Sequence, residues 1–510
     1  MQKLEFDLGN PSYTLLHRAG LAGLWMTLKQ LSKEKAIPPE KLKWELNNHQ
    51  VYLSWQNYDL EVLNWLLQQS FQLTDGLISL RGLDSKTMGI QSQVIVHQGI
   101  LGTFLQHTST HKALGTETKS FQIEEDKPPL IVTYKSLSSY VHQEFAKNLC
   151  DKQGKLQKKP ITVAGWLNPG AVVRHVAFSS STRFEETPEQ ALILLFAPIA
   201  CYYFLLRSKL RDKRAQYALI IPEVTDLEKY AAYRQNPHLR EASYKDFFAS
   251  GLGDAGLRFL TEETTAEIAQ TFGLERCQVL TLGTVAWASQ QKTRTDLYMV
   301  EVQTKACENY KISCNWFSDY VVAGQDGSFI SSSFARELIA ENLAKNQPWY
   351  AGFADKVNSN ELFEKLTYER GGLFKMIKKA KYDEQDKLFV QICHEAIKFT
   401  YGKIYQNKKR GEDLNSKFDR ATIKMRAGLS RCKSADSFRE YITDFWSRAG
   451  RLPTLQAHWP EMMELITDKQ SWKKARDLAL LALASYKKDE TNKNEEDELE
   501  PESELIDIDL

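Results

Sequence analysis

The longest apolar run in the chain reads ALILLFAPIACYYFLL and extends from residue 191 to residue 206. It contains no charged residue, but its 16 residues are fewer than the roughly 20 that a membrane-spanning helix needs, and Pro198 interrupts it. We therefore expect this run to form a buried helix in the core of a globular protein, and we expect no membrane segment.

The chain on both sides of this run has a mixed pattern up to about residue 330. Residues 14–29 have helical periodicity, whereas several short segments are rich in β-branched and aromatic residues. We predict an α+β fold with a mixed, sheet-containing N-terminal body over residues 1–330 and a possible sub-boundary near residue 150. Candidate strands are residues 51–55, 94–96, 218–221 and 279–282.

The remainder of the chain has helical patterning. Residues 331–375 are predicted to form a helical connector, with a chain break at Gly371-Gly372 near its end. Residues 376–488 are predicted to form a C-terminal helical bundle. Ser434 and Gly450 are placed to begin and end one of its helices. One apolar stripe at helical spacing comprises Phe389, Ile392, Cys393, Ala396, Phe399 and Thr400.

The net charge of +1 conceals two regions of opposite sign. Residues 370–451 contain 20 Lys and Arg against 10 Asp and Glu. Residues 489–510 contain 11 acidic residues and a single basic residue, Lys493. We predict that this last segment is a disordered acidic tail, which could shield the basic bundle.

Basic residues concentrate in three clusters, a pattern that favours contact with nucleic-acid phosphates. Solvated helical faces are the alternative explanation. Aromatic residues lie among the basic ones, and Tyr401 or Tyr405 is a candidate platform for an unpaired base, whereas Phe389 and Phe399 are expected to be core residues. The cluster residues are Lys152, Lys155, Lys158 and Lys159, then Arg207, Lys209, Arg211, Lys213 and Arg214, and finally Lys408, Lys409, Arg410, Lys417, Arg420, Lys424, Arg426 and Arg431.

A tight turn within the sequence WLNPGAVVRH, residues 166–175, is a candidate for contact with base edges. Gly170 has no side chain and permits close approach, while Arg174 offers a forked donor to guanine or phosphate. We take Asn168, Gly170, Arg174 and His175 as the candidate residues. The alternative is an ordinary hairpin in which Arg174 pairs with Glu185 or Glu186.

Motifs of catalysis and of metal or cofactor binding are absent from the sequence. There is no GxxxxGK[ST], GxSxG or HExxH motif, and the seven cysteines never form a CxxC pair. We therefore predict no catalytic residue, no metal site and no cofactor, and we expect His97, His107 and His111 to be surface histidines. The odd, scattered cysteines and the absence of a signal peptide favour a cytoplasmic protein.

Residues 163–222, with Pro169-Gly170, Arg174-His175, the apolar run and the basic residues that follow it, resemble the large subunit of type I CRISPR effector complexes (Cascade), in particular the myxococcal and cyanobacterial variant grouped with subtypes I-A and I-B. The resemblance implies a non-catalytic, DNA-sensing subunit for antiviral defence. A crRNA pairs with the target, while the protein recognises the flanking motif (PAM) on duplex DNA, aids R-loop formation and holds the displaced strand.

The partners that this resemblance implies are crRNA, target DNA, the backbone and RNA-processing subunits, helical small subunits and a recruited helicase–nuclease. Because small subunits of related complexes can arise by internal translation, Met376 is a candidate internal start. Lys408, Lys409, Arg410, Lys424 and Arg426 would then contact the displaced strand. Two alternatives remain open: a metal-dependent nuclease with dispersed acidic residues, and a scaffold for RNA and protein without flank recognition.

Overall fold

The computed structural model describes residues 2–56, 58–169, 184–208, 216–236, 240–261, 276–282, 284–287, 290–293, 297–301, 303–408 and 413–487. The chain divides into two compact units. Unit 1 comprises Met1–Gln303 and Asp319–Ser332, and unit 2 comprises Thr304–Ser318 and the chain from Ser333 onward. The described strands lie in unit 1 and unit 2 is helical, so the predicted α+β fold is confirmed. The proposed tail, residues 489–510, lies outside the described residues, and the predicted boundaries near 150, 330 and 375 stay predictions.

Unit 1 contains mixed sheets with helices packed against them. Its largest described sheet has five strands in the order β12-β10-β11-β13-β16, and others have the orders β17-β18-β7-β6 and β1-β3-β2. The strands are β1 (Gln2–Asp7), β2 (Lys43–Leu46), β3 (Gln50–Trp55), β4 (Phe71–Thr74), β5 (Leu77–Leu80), β6 (His111–Phe121), β7 (Leu130–Tyr140), β8 (Ile161–Thr162), β9 (Glu185–Glu186), β10 (Tyr202–Leu206), β11 (Gln216–Pro222), β12 (Phe248–Ala249), β13 (Arg276–Leu282), β14 (Thr284–Trp287), β15 (Gln290–Thr293), β16 (Leu297–Glu301), β17 (Tyr320–Gly324) and β18 (Gly327–Ser331).

The helices of unit 1 are mostly short. Short 3₁₀ helices lie at Arg81–Leu83, Ser85–Thr87, Thr108–Thr110, Val141–Glu144 and Tyr244–Phe247. The α-helices are α1 (Leu15–Lys33), α2 (Asp59–Ser70), α3 (Ile90–Gly102), α4 (Ala146–Leu149), α5 (Pro188–Leu195), α6 (Ala197–Ala200), α7 (Leu227–Arg234) and α8 (Leu252–Thr261).

The apolar run at residues 191–206 is buried, but the prediction of one helix is wrong. It forms most of α5, then α6, and finally β10 in the five-stranded sheet. Pro198 lies in the first turn of α6, and the aromatic pair Tyr202 and Tyr203 then favours the strand. Among the described residues, no helix is long and apolar enough to cross a membrane.

Helix α1 packs directly on this run because two of its residues lack side chains. A Cβ atom at Gly20 would lie 2.3 Å from the carbonyl oxygen of Ile193, and one at Gly23 would lie 2.1 Å from that of Phe196. Residues 94–96, predicted as a strand, instead lie in α3. A short β-branched run cannot be distinguished from a buried helix by periodicity alone, and Val94 and Val96 are buried in α3.

Unit 2 consists of helices that pack around α14 and the last described helix. Ser434 and Gly450 cap α16 as predicted, whereas Gly371-Gly372 does not break the chain, because α13 runs through both glycines. The helices are α9 (Thr304–Trp316), α10 (Phe334–Leu343), α11 (Phe353–Lys356), α12 (Asn360–Tyr368), α13 (Arg370–Lys379), α14 (Glu384–Gln406), α15 (Leu414–Arg431), α16 (Ala435–Ala449), α17 (Pro453–Ala457), α18 (Trp459–Thr467) and α19 (Trp472–Ser485).

Candidate nucleic-acid interfaces

The first lysine cluster lies on a loop of unit 1, residues 151–160, whose backbone is fixed by two carboxylates. Asp151 Oδ1 accepts a hydrogen bond from the backbone N–H of Lys155 at 3.0 Å. Asp59 Oδ2 accepts one from the N–H of Leu156 at 2.9 Å. This segment, the lysine loop, exposes the side chains of Lys152, Lys155, Lys158 and Lys159.

A glycine makes the turn of the lysine loop. Gly154 has φ +75°, a backbone conformation that side-chain-bearing residues rarely adopt, and its carbonyl accepts a hydrogen bond from Leu60 N–H at 3.0 Å. The Trp55 indole N–H in turn donates to Asp59 Oδ1 at 2.8 Å. The four lysines therefore stand on an ordered loop that is anchored to the start of α2.

The second predicted phosphate cluster is only partly described. Arg207 follows β10, its side chain is exposed, and its guanidinium lies 5.4 Å from the centre of the Phe248 ring. The backbone N–H of Arg207 donates to the carbonyl of Ala249 at 2.9 Å. Lys209, Arg211, Lys213 and Arg214 lie outside the described residues.

The proposed flank-contacting turn is described only at its beginning. Asn168 is 8% exposed, and its backbone N–H donates to the carbonyl of Ala164 at 3.3 Å. Trp166 packs edge-on against Phe145. Gly170, Arg174 and His175 lie outside the described residues, so their role stays a prediction, as does the alternative pairing of Arg174.

Unit 2 contains a solvent-open groove of about 420 Å³ whose lining is basic. Its walls come from α14, α15 and α16. Thr400, Ile404 and Asn407 complete a lining in which none of the described residues is acidic. The four basic residues of this cationic groove are Lys403, Lys417, Arg420 and Arg448.

Helical spacing explains which basic residues of α15 reach this side. Lys417, Arg420 and Lys424 are three and four residues apart and therefore share one face of the helix. Arg426 lies on another face, is 8% exposed and donates from Nη2 to Asn360 Oδ1. Although Arg426 belongs to the predicted strand-binding set, it is a core residue of unit 2.

The remaining residues of that set are exposed or undescribed. Lys408 and Lys424 are exposed, while Lys409 and Arg410 lie outside the described residues. Lys403 and Arg448, which the sequence clusters did not include, are held at the groove: Lys403 Nζ donates to the Arg448 carbonyl at 2.6 Å. Lys403 and Arg448 lie on different helices and are far apart in sequence. The sequence could have identified them as groove residues only through the helix face on which each one lies.

The aromatic residues near the groove are not arranged as predicted. Phe399 is 43% exposed rather than buried, because it lies beyond the buried edge of the apolar stripe on α14. Tyr401 is a packing residue: its ring lies 5.0 Å from that of Phe418, and its hydroxyl hydrogen-bonds to Thr422. Tyr405 is 60% exposed, but it is two residues from both Lys403 and Asn407 and therefore lies on another face of α14 from the groove.

The proposed internal start, Met376, is fully buried within α13. The N-terminal half of that helix packs closely in unit 2, since a Cβ atom at Gly372 would lie 2.4 Å from the Phe317 ring. A polypeptide that begins at Met376 would lack these contacts.

The histidines and acidic residues of the described chain do not assemble into a metal-binding cluster. Among the described residues, no group of three or more His, Cys, Asp or Glu side chains is placed to hold a metal ion. His97 is buried, not a surface residue: its Nδ1 accepts from Ile78 N–H at 3.1 Å and its Nε2 lies 2.7 Å from the Lys135 carbonyl oxygen. Burial lowers the pKa of His97 to about 4, so the ring is neutral at pH 7.

Comparison with known proteins identifies the family. A family profile described as the DevT N-terminal domain matches residues 5–195, and one described as the DevT C-terminal domain matches residues 378–509, so that together they cover more than half of the chain. The chain is 27% identical to the CRISPR-associated protein Cas8a1/Csx13 of Myxococcus xanthus (strain DK1622), over 95% of this chain and 88% of that protein. The resemblance to the large subunit of type I CRISPR effector complexes is thus confirmed, and the chain belongs to the DevT family of CRISPR-associated proteins.

Proposed function

We propose that this protein is the non-catalytic large subunit of a crRNA-guided DNA surveillance complex, and that the cationic groove of unit 2 holds the DNA strand displaced during R-loop formation. The observation that carries the proposal is the groove itself, where Lys403, Lys417, Arg420 and Arg448 converge from three helices. The similarity to a CRISPR-associated Cas8a1/Csx13 protein supports the same role.

The chemistry of the groove suits a single strand better than a base-specific contact. Lysine and arginine neutralise phosphates and release condensed counterions whatever the base sequence. Tyr405 is exposed, but it lies two residues from both Lys403 and Asn407 on α14 and therefore on another face of the helix from the groove. A displaced strand presents accessible phosphates, which are the groups that these four basic side chains bind.

The lysine loop of unit 1 has the separate task of binding duplex phosphates beside the flanking motif. Its exposed lysines stand on a backbone fixed by Asp151 and Asp59, which lowers the entropy lost when they contact DNA. Phosphate contacts set the position of the protein on the duplex without specifying sequence. Recognition of the motif itself we assign to Asn168, Gly170, Arg174 and His175.

In this proposal the other components supply what the chain lacks. A crRNA supplies sequence recognition through pairing, backbone and RNA-processing subunits hold that RNA, and helical small subunits extend the path of the displaced strand. Cleavage belongs to a recruited helicase–nuclease.

Binding of single-stranded DNA across a salt series tests the role of the groove. The double variant Lys417→Gln/Arg420→Gln should reduce the slope of log K against log salt by about 1.4, since each lost phosphate contact on a single strand contributes about 0.7. Lys469→Gln/Lys473→Gln is the matched control, because both lysines are exposed and lie at the start of α19, away from the groove. An unchanged slope in the folded groove variant would reject the proposal.

Flank recognition is tested separately with the assembled complex. Arg174→Ala should weaken binding to targets with the correct flank by about 1–3 kcal/mol and leave flank-free single-stranded targets nearly unaffected. Equal losses on both would assign Arg174 to folding or to general backbone contact. Binding indifferent to the flank would favour the scaffold alternative, and degradation of DNA by the purified chain with Mg²⁺ or Mn²⁺ would favour the nuclease alternative.

A further inference from the structure

The described chain ends against α14, one of the three helices that form the cationic groove. Tyr486, which follows α19, packs its ring 5.5 Å from the ring of Tyr401, and Tyr401 packs 5.0 Å from Phe418. Tyr401 adjoins the groove residue Thr400 in sequence, and Phe418 adjoins the groove residue Lys417. The polypeptide therefore leaves the described part of unit 2 close to α14 and α15, two of the three helices that form the groove walls, although Tyr401 and Phe418 do not themselves line the groove.

The segment that continues from this point is complementary to the groove in charge. Residues 489–510 contain 11 acidic residues and one lysine, with four acidic residues in succession at 495–498. The described lining of the groove contains four basic residues and no acidic one. The segment ends in the sequence ELIDIDL, residues 504–510, which interleaves carboxylates with aliphatic side chains, and the groove offers Ile404 beside its cations.

The length of the segment is sufficient to reach the groove without strain. A random coil of 22 residues has a root-mean-square end-to-end distance of about 25 Å. Attachment at Tyr486 keeps the carboxylates near the groove at an effective concentration on the order of millimolar. The match to the family profile of the DevT C-terminal domain extends through residue 509 and so includes nearly all of the acidic segment.

We propose that the acidic segment, residues 489–510, occupies the cationic groove in the free protein and is displaced by single-stranded nucleic acid. The inference rests on the proposed function only in naming the competitor; the contact between the segment and the groove stands on charge, length and attachment. Its carboxylates replace phosphates on Lys403, Lys417 and Arg420. The segment thereby reduces nonspecific binding of cellular nucleic acid to the groove. A single strand that the assembled complex holds close to the groove displaces the segment.

Contact between segment and groove is measured without nucleic acid. A fluorescein-labelled peptide of residues 489–510 is titrated into a chain that ends at Lys488, which retains every described residue. Lys417→Gln/Arg420→Gln in that chain should weaken peptide binding about tenfold or more, and Lys469→Gln/Lys473→Gln should leave it unchanged. Equal weakening by both pairs, or no peptide binding at low salt, would overturn the proposal.

The same contact is located in the full chain by zero-length carbodiimide crosslinking. Amide bonds should join Lys403 or Lys417 to acidic residues of the segment, and peptide mass spectrometry identifies the linked pairs. Crosslinks that go only to lysines outside the groove, or only to a second molecule, would contradict occupation of the groove by the chain's own segment.

Competition is then measured with single-stranded DNA. Removal of residues 489–510 should strengthen binding of the strand about tenfold at low salt, and replacement of their acidic residues by Asn and Gln should do the same without shortening the chain. Equal DNA affinity with and without the segment would reject the regulation and leave the proposed function intact. Peptide binding to the groove without DNA binding there would reject the proposed function and leave the contact intact.

Discussion

The lysine loop of unit 1 and the cationic groove of unit 2 present positive charge in two different ways. In the loop, lysines that are close in sequence are all exposed, because Asp151 and Asp59 hold the backbone and the side chains face solvent. On α15, Lys424 and Arg426 are only two residues apart, but the side chain of Lys424 is exposed and that of Arg426 is buried. A basic cluster in sequence therefore predicts a basic surface on a loop, whereas on a helix it must first be divided by face.

Glycine substitutions should give the largest effects, and they compare a position in unit 1 where a Cβ atom has no room with a position in unit 2 where it has room. Gly23→Ala in unit 1 places a Cβ atom 2.1 Å from the Phe196 carbonyl oxygen, so α1 must move away from α6. We expect a loss of about 3 kcal/mol or more in the free energy of unfolding, despite the better helix propensity of alanine. Urea denaturation followed by circular dichroism measures this loss.

The control for that prediction lies in unit 2. Gly371 is also helical, but nothing lies within 4 Å of the position of its Cβ atom. Gly371→Ala should stabilise the protein by up to about 1 kcal/mol through helix propensity alone. If the two substitutions had similar effects, the close contact between α1 and the apolar run would be excluded as the cause.

The response of stability to acidic pH is the next largest difference that we expect between the two units. A buried histidine in unit 1 and a buried aspartate in unit 2 change stability in opposite directions as the pH falls. His142 in unit 1 is 1% exposed, and burial lowers its pKa to about 3. The unfolded chain therefore binds a proton more readily than the folded one below pH 6.5, and stability falls as the pH falls. In unit 2, burial raises the pKa of Asp477 to about 6, so its folded form takes up a proton first and this contribution to stability rises as the pH falls from about 6 to 4.

His142→Phe tests the contribution of unit 1. The ring of His142 lies among Phe71, Tyr140 and Trp166, and neither of its nitrogens has a hydrogen-bond partner among the described residues. Between pH 7 and pH 5 the wild-type protein should lose about 2 kcal/mol through this residue, and the variant should not. Hydrogen exchange of peptides from each unit at both pH values measures the difference. The prediction fails if the variant retains the full acid sensitivity of unit 1.

The division of α15 by face predicts a smaller, selective pair of effects. Arg426→Ala should lower stability by about 1–3 kcal/mol, because it removes a buried side chain from the packing of unit 2 together with the hydrogen bond that this side chain donates to Asn360. Lys424→Ala should change stability by no more than about 0.5 kcal/mol and should weaken single-strand binding instead. Thermal unfolding and fluorescence anisotropy on the same samples compare the two. If Arg426→Ala lowered the affinity for DNA without lowering stability, Arg426 would be assigned to the DNA-binding surface after all.

These comparisons also show which structural features the sequence could indicate. Local sequence signals predicted the ends of a helix correctly. Helix α16 begins after Ser434 and ends before Gly450, because a capping residue acts within one turn of the helix. Features that depend on distant contacts did not. The apolar run divides into helices and a strand because β10 pairs with β11 and β12, and the groove gains Lys403 and Arg448 through packing of separate helices. Short-range residue spacing contains no information about which strands pair with β10 or which helices pack together at the groove.

The smallest expected structural effect belongs to Met376→Leu, which tests internal initiation. Met376 is fully buried in α13, and leucine conserves its volume closely enough that we expect a loss of less than about 1.5 kcal/mol. With a C-terminal tag, an immunoblot should show a short product that disappears in Met376→Leu while the full-length chain persists at its normal level. Synonymous recoding of codons 369–372 should also remove the short product, because it changes the upstream RNA without altering the protein. If an assembled, active complex lacks the short product, or the product survives both changes, Met376 serves only to fill the core of unit 2.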